Sequence, residues 1–189
     1  PANPPAGLKE KTVNGWTNLK CMVYDKYQVV YFQSEEALRD FQNDHSKTEG
    51  RLYSTTALFG STLPTADAPT PTRTGYTFKF WSREGQSGDV TGQTVNGWTN
   101  LYAVWEKNIY TVTYTDGVNG EAFADQVYNV PFEDATPAFD GTPARAGYKF
   151  LGWEPTVAET VTENATYVAQ WEKLYTVTYT DGVDEKVFK

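Results

Sequence analysis

Residues 110–118 read Y-T-V-T-Y-T-D-G-V, and residues 176–183 repeat Thr111–Val118 letter for letter. The alternation puts Tyr110, Val112 and Tyr114 on one face and threonines on the other. That is the period of a half-buried β-strand. Asp116-Gly117 and Asn119-Gly120 follow as hairpin signals, so Phe123–Val130 is predicted to be the return strand. Further outward, Pro137–Thr142 reads as loop, Tyr148–Trp153 as a third strand and Thr166–Trp171 as a fourth. Four short strands make one small sheet, and one of its faces needs cover from a short helix or from loops.

Two more repeats extend this reading over the whole chain. TVNGWTNL occurs at Thr12–Leu19 and at Thr94–Leu101. T-P-x-R-x-G-Y-x-F-x-x-W occurs at Thr70–Trp81 and at Thr142–Trp153. Each unit opens on an aromatic alternation: Tyr27/Val29/Tyr31, Tyr110/Val112/Tyr114, Tyr175/Val177/Tyr179. Each closes on an aromatic-ended run: LKCMVY to Tyr24, LYAVW to Trp105, YVAQW to Trp171. The chain therefore divides into a linker with the tail of a preceding repeat (1–26), two whole modules (27–107 and 108–173), and the first strand of a further, truncated repeat (174–189). Both ends cut through a repeat, so the sequence is expected to be part of something longer. Tight joins between successive units suit beads in a row.

The 27–107 unit carries extra residues around Ser34–Arg51, which predict a helix inserted near 34–50. Ser34 is its N-cap, and Glu35 and Glu36 sit in the first turn, where the helix dipole favours acid. Ala37, Leu38 and Phe41 share one helical face, and Gly50 is the expected stop.

YTVTYTDG, TPARAGYKFLGW and NATYVAQWEK together resemble the Listeria–Bacteroides repeat, the internalin B-repeat family. The resemblance covers nearly all of 108–173. It covers 27–107 more loosely, because of the insertion and because Phe80 stands where Gly152 precedes Trp153. It implies a mainly β (α+β) fold of tandem small β-grasp-like modules, on secreted or cell-wall-attached bacterial proteins. It implies no catalytic residues, and an extracellular location at the cell surface.

Composition narrows the function classes. The 189 residues carry 16 Lys+Arg against 24 Asp+Glu, a net charge of −8, which argues against a nucleic-acid binder. No apolar run reaches the roughly 18 residues a membrane helix needs, so no membrane insertion is expected. One Cys and one His exclude an internal disulfide and a multi-His or multi-Cys metal site. No metal and no cofactor is expected. Extracellular repeats of the family the chain resembles rely on packed cores in place of disulfides.

The individual candidates weigh as follows. His45, in NDHSK, lacks a partner pattern and reads as a surface residue. Cys21, within LKCMVY, reads as a buried or half-buried thiol. No nucleophile elbow, phosphate loop or zinc-protease motif is present. The carboxylates Glu133-Asp134, Asp181 and Asp184-Glu185 read as a solvated acidic surface. Asp116–Glu121 offers oxygen ligands without the spacing of a calcium loop. Asn164-Ala165-Thr166 matches a glycosylation acceptor by accident of composition.

Trp81, Trp105, Trp153 and Trp171 recur at equivalent positions, as packed cores require. Arg73 and Arg145 recur before Gly-Tyr and are expected to lie over an aromatic ring. Gly75 and Gly147 are expected to hold a turn that a side chain would oppose. Trp16 and Trp98 differ, because the 108–173 unit has Thr162-Glu163-Asn164 there. Each is either a local lid on the sheet or an exposed contact residue.

Three functions fit. The first is a non-catalytic stalk or scaffold, adhesin-like. The second is an adhesive module that binds a host or neighbour-cell glycan or matrix protein through 34–50 or Trp16/Trp98. The third is a filament subunit that self-associates through strand 174–180.

Overall fold

The computed structural model describes residues 9–12, 20–23, 25–86 and 88–179. The contacts divide the chain into two compact units, Pro1–Glu106 and Lys107–Lys189. In the first unit a short antiparallel pair, β1 (Lys9–Thr12) and β2 (Lys20–Val23), precedes the first module. Trp16 lies outside the described residues, as does the side chain of Cys21.

The first module is built from β3 (Lys26–Phe32), α1 (Glu35–Asn43), β4 (Arg51–Leu58), β5 (Tyr76–Arg83) and β6 (Thr99–Lys107). Its sheet order is β4-β3-β6-β5. β3 pairs antiparallel with β4 and parallel with β6, with Tyr31 opposite Leu101. The second module uses β7 (Ile109–Thr115), β8 (Gln126–Pro131), β9 (Tyr148–Glu154) and β10 (Ala165–Lys173), in the order β8-β7-β10-β9. There β7 is parallel to β10, with Tyr114 opposite Tyr167. In both modules the first and last strands sit side by side at the centre, parallel, as a β-grasp-like sheet requires.

The alternation in β7 does what its period demands. Val112 and Tyr114 are buried, and they pack with Val130, Val161 and Tyr167 into one core. In the first module Val29, Tyr31, Trp81, Val95 and Leu101 make the equivalent core. A second, smaller core exists only there. Val30 and Phe32, on the opposite face of β3, close over Leu38 of α1, with Phe41 and Tyr102 at its edge.

The structure corrects several sequence expectations. Ser34 does cap α1, its Oγ accepting from the Ala37 N–H at 3.1 Å. The helix, however, ends at Asn43 with Asp44 as its cap, well short of Gly50. Gly50 instead stands at the entry to β4, where its carbonyl accepts from the Gln33 N–H at 2.6 Å. The return strand of the second module starts at Gln126, later than Phe123. Phe123 is drawn out of the sheet by aromatic packing, 4.9 Å from Phe139 and 6.1 Å from Trp153 between ring centroids. Residues 174–179 form no strand, and Tyr175, Val177 and Tyr179 are all exposed. A lone opening strand has no ladder to join, so its backbone stays with solvent. The expected strand 174–180 and the filament contact built on it are not seen in 174–179, and residues 180–189 lie outside the described part.

Candidate functional site

The recurring residues form one aromatic frame, built twice. Tyr31 and Tyr114 point from the first strand of each module into the core. Each donates its hydroxyl to a crossover carbonyl, Pro64 O and Pro137 O, both at 2.7 Å. Burial pushes both phenols above their usual pKa, with neighbouring Tyr53 and Asp67 adding to it at Tyr31, and Tyr167 and Tyr128 at Tyr114. Both hydroxyls therefore stay protonated and keep donating. Trp81 meets Tyr31 edge-on at 5.0 Å, and Trp153 meets Tyr114 at 4.7 Å. Phe78 and Phe150 bridge to the closing tryptophans, Trp105 at 5.8 Å and Trp171 at 5.6 Å. The indole N–H of Trp105 donates to Gln33 O at 2.7 Å, and that of Trp171 to Asp116 O at 2.8 Å. Each closing tryptophan thus pins the backbone just beyond the first strand, satisfying its one polar atom while burying its ring.

The Arg-Gly-Tyr turns match as closely. The Arg73 guanidinium lies 3.9 Å over the Tyr76 ring, and that of Arg145 lies 3.7 Å over Tyr148. Gly75 and Gly147 both have φ of 74°, a left-handed conformation that a side chain opposes.

Trp98 stands apart from this frame. Its ring is 64% exposed, which does not fit a lid on the sheet. The turn that carries it is tied from within. Val95 is fully buried and anchors it in the core. Thr99 Oγ donates to Gly97 O at 3.1 Å, and the Trp98 indole N–H donates to Asn100 Oδ1 at 3.1 Å. The result is a flat apolar ring, held in one orientation beside a polar amide. In the second module the corresponding Asn164 takes a structural part, its Oδ1 accepting from the Thr111 N–H at 2.8 Å.

Asp116 carries chemistry that the sequence reading assigned only to a turn. It is buried, and its carboxylate accepts from Val118 N–H at 3.1 Å and Ala122 N–H at 2.6 Å. These backbone hydrogen bonds, with help from Phe123 N–H and the Arg145 charge, hold its carboxyl below the usual range. The six-residue reach from Asp116 to Ala122 was the available signal. Elsewhere His45 is exposed, its ring 5.1 Å from that of Phe41. Among the described residues no cluster of His, Cys, Asp or Glu could hold a metal, and no helix is long and apolar enough to cross a membrane.

Comparison with known proteins bears on this frame. Residues 41–104 and 110–175 each match the model of the Listeria-Bacteroides repeat domain. Two proteins of Evansella cellulosilytica are similar. One, named "Putative Gly-rich membrane protein", is 30% identical over 145 residues, 69% of this chain and 16% of that protein. The other, named "Putative membrane protein", is 36% identical over 90 residues, 42% of this chain and 13% of that protein. The chain thus spans a small part of either relative.

Proposed function

The chain belongs to the Listeria-Bacteroides repeat domain family, and from that premise we propose that it is a non-catalytic stalk segment of a bacterial surface protein. Its modules act as spacers that hold another part of the parent protein away from the cell. One observation carries this reading: the aromatic frame is built twice with the same hydrogen bonds, and its polar groups are spent on holding it. Only Asn108 lies between the end of β6 and the start of β7. Such a short join limits slack, and length then scales with the number of modules. The names of the two relatives as membrane proteins are in keeping with a surface location.

The test is a distance distribution. A dye at the native Cys21 and a second at a cysteine replacing Thr178 would report the span by single-molecule energy transfer. A narrow distribution, unchanged by moderate salt, is expected. A broad one that collapses or expands with conditions would remove the spacer reading.

A second reading rests on Trp98. An exposed ring beside Asn100 suits the apolar face of a sugar or a side chain of a matrix protein. Binding to a glycan and matrix-protein array, lost in Trp98→Ala and kept when 35–43 is replaced by a short turn, would favour it. Silence across the array would leave the spacer.

A further inference from the structure

The two modules differ at one place where their frames otherwise coincide. In the second module the Trp153 ring is covered by Phe139, with centroids 5.2 Å apart, and Phe139 is covered in turn by Phe123. The first module has neither plug. Counting from the matched carbonyl donors Pro64 and Pro137, the position of Phe139 falls to Ala66. Phe123 belongs to the β7–β8 connection, which α1 replaces in the first module. What remains beside Trp81 is an open cleft of about 290 Å³, lined by Ala66, Phe78, Phe80, Trp81, Asp89 and Thr91 among others. Phe80 stands in the place of Gly152. The first module has therefore lost two plugging rings and gained a ring on the wall.

We propose that this cleft binds an aromatic side chain presented by a partner polypeptide. The occupant is argued from the sister module, where a Phe ring carried on Ala138-Phe139-Asp140 fills the corresponding space against Trp153 and Tyr114. The size agrees. An enclosed apolar cavity of about 150 Å³ takes up benzene, so the cleft has room for a ring with its Cβ. Tyr53 covers Tyr31 from the β4 side at 5.6 Å and is not part of the cleft lining. The polar rim is already engaged: Lys79 pairs with Glu106 at 2.7 Å, and Asp89 accepts from Thr91 N–H at 2.8 Å. Recognition then rests on the ring, not on charge. A pyranose would need free hydrogen-bonding groups that these rim residues have spent. This site goes beyond the spacer reading and stands independently of it.

The experiment is an NMR titration of the full chain with the blocked tripeptide Ala-Phe-Asp, the second module's own plug. Saturable shifts at Ala66, Phe80 and Thr91 are expected at millimolar peptide, the range open to a single buried ring. Blocked Ala-Ala-Asp should shift nothing there. Ala66→Phe fills the cleft from within and should weaken the peptide at least tenfold, with other amide signals unmoved. Phe139→Ala should create a second responsive site around Trp153. Equal shifts with the alanine peptide, no saturable shift, or shifts from a methyl pyranoside in place of the peptide would each overturn the proposal. The comparison of the two peptides on the unaltered chain holds even if Ala66→Phe does not fold.

Discussion

Strand β3 reads K-Y-Q-V-V-Y-F where β7 reads I-Y-T-V-T-Y-T. The two strands hold the same place in their sheets, yet one is apolar on both faces and the other on one. In β7 the threonine face needs no cover. In β3, Val30 and Phe32 would be stranded on the outer face without α1, and Leu38 closes over them with 0% exposure. The insertion is thus matched by a change in the strand beneath it. Leu38 alone removes apolar surface worth about 1.5–3 kcal/mol from water. Extra sequence between two strands was accommodated by giving it a core of its own, while the repeated frame on the other face was left intact.

The widest test of this comparison attacks the frame itself. Trp81→Ala should cost the first module about 3–5 kcal/mol, and Trp153→Ala should cost the second a similar amount. Each loss should stay within its own unit. Hydrogen exchange of backbone amides reads the two modules separately in one sample. If either substitution lowers protection equally in both, the modules are one cooperative body and the comparison breaks.

Next in size is the helix. Leu38→Ala should destabilise the first module by about 3 kcal/mol, while amides of the second module keep their protection. Protection should fall most in α1 and at Val30 and Phe32, and less at Val29 and Tyr31 on the other face. Uniform loss across β3 would show that the two cores of the first module melt together.

Asp116 sharpens the contrast at the end of the first strand. The backbone beyond β7 is held by a carboxylate. The backbone beyond β3 is held by Gly50 and the helix, with the uncharged Gln33 at the matching place. Asp116→Ala leaves N–H groups without their acceptor and should cost about 1–3 kcal/mol. The acid dependence follows from the direction of the shift. The folded carboxyl sits below its ordinary value near 3.8, so its contribution is complete above about pH 4 and is lost as pH falls through the folded value. Acid titration of amide protection should therefore show a loss in the second module that Asp116→Asn largely removes.

Much of this was written in the sequence, for a physical reason. A period of two, a repeated Arg-Gly-Tyr turn and a tryptophan every few dozen residues are local signals, and the frame they make is local to each module. What stayed hidden depended on competition between distant residues. Phe123 looks like the start of a strand until Phe139 and Trp153 draw it away. Gly50 looks like a helix stop because nothing nearby reveals that Asp44 ends the helix first. The cover on the second face of β3 was visible in the unbroken run Val29–Phe32, but an alternation sought only through Tyr27, Val29 and Tyr31 passes over it. Trp98 was singled out correctly as different from the other tryptophans. Its exposure could not be read from a turn motif, since Asn-Gly-Trp is compatible with a ring facing either way.

The smallest effect isolates one backbone position. Gly60 (φ 76°) and Glu133 (φ 64°) occupy the same turn, and their N–H groups donate to Val95 O at 2.7 Å and Val161 O at 2.8 Å. The first module meets the left-handed conformation with glycine, whereas the second places a side chain there, at roughly 1–2 kcal/mol of backbone strain. Glu133→Gly relieves that strain, but it also removes the glutamate's own interactions and loosens the unfolded chain. Glu133→Ala removes the same interactions and keeps the strain. The glycine variant should therefore be more stable than the alanine variant by about 1 kcal/mol, whatever either does relative to glutamate. Gly60→Ala in the first module should lose a comparable amount. Equal stabilities of the two Glu133 variants would mean that the second module relaxes this turn in a way the first does not, and that the shared hydrogen bond is kept by two different backbones.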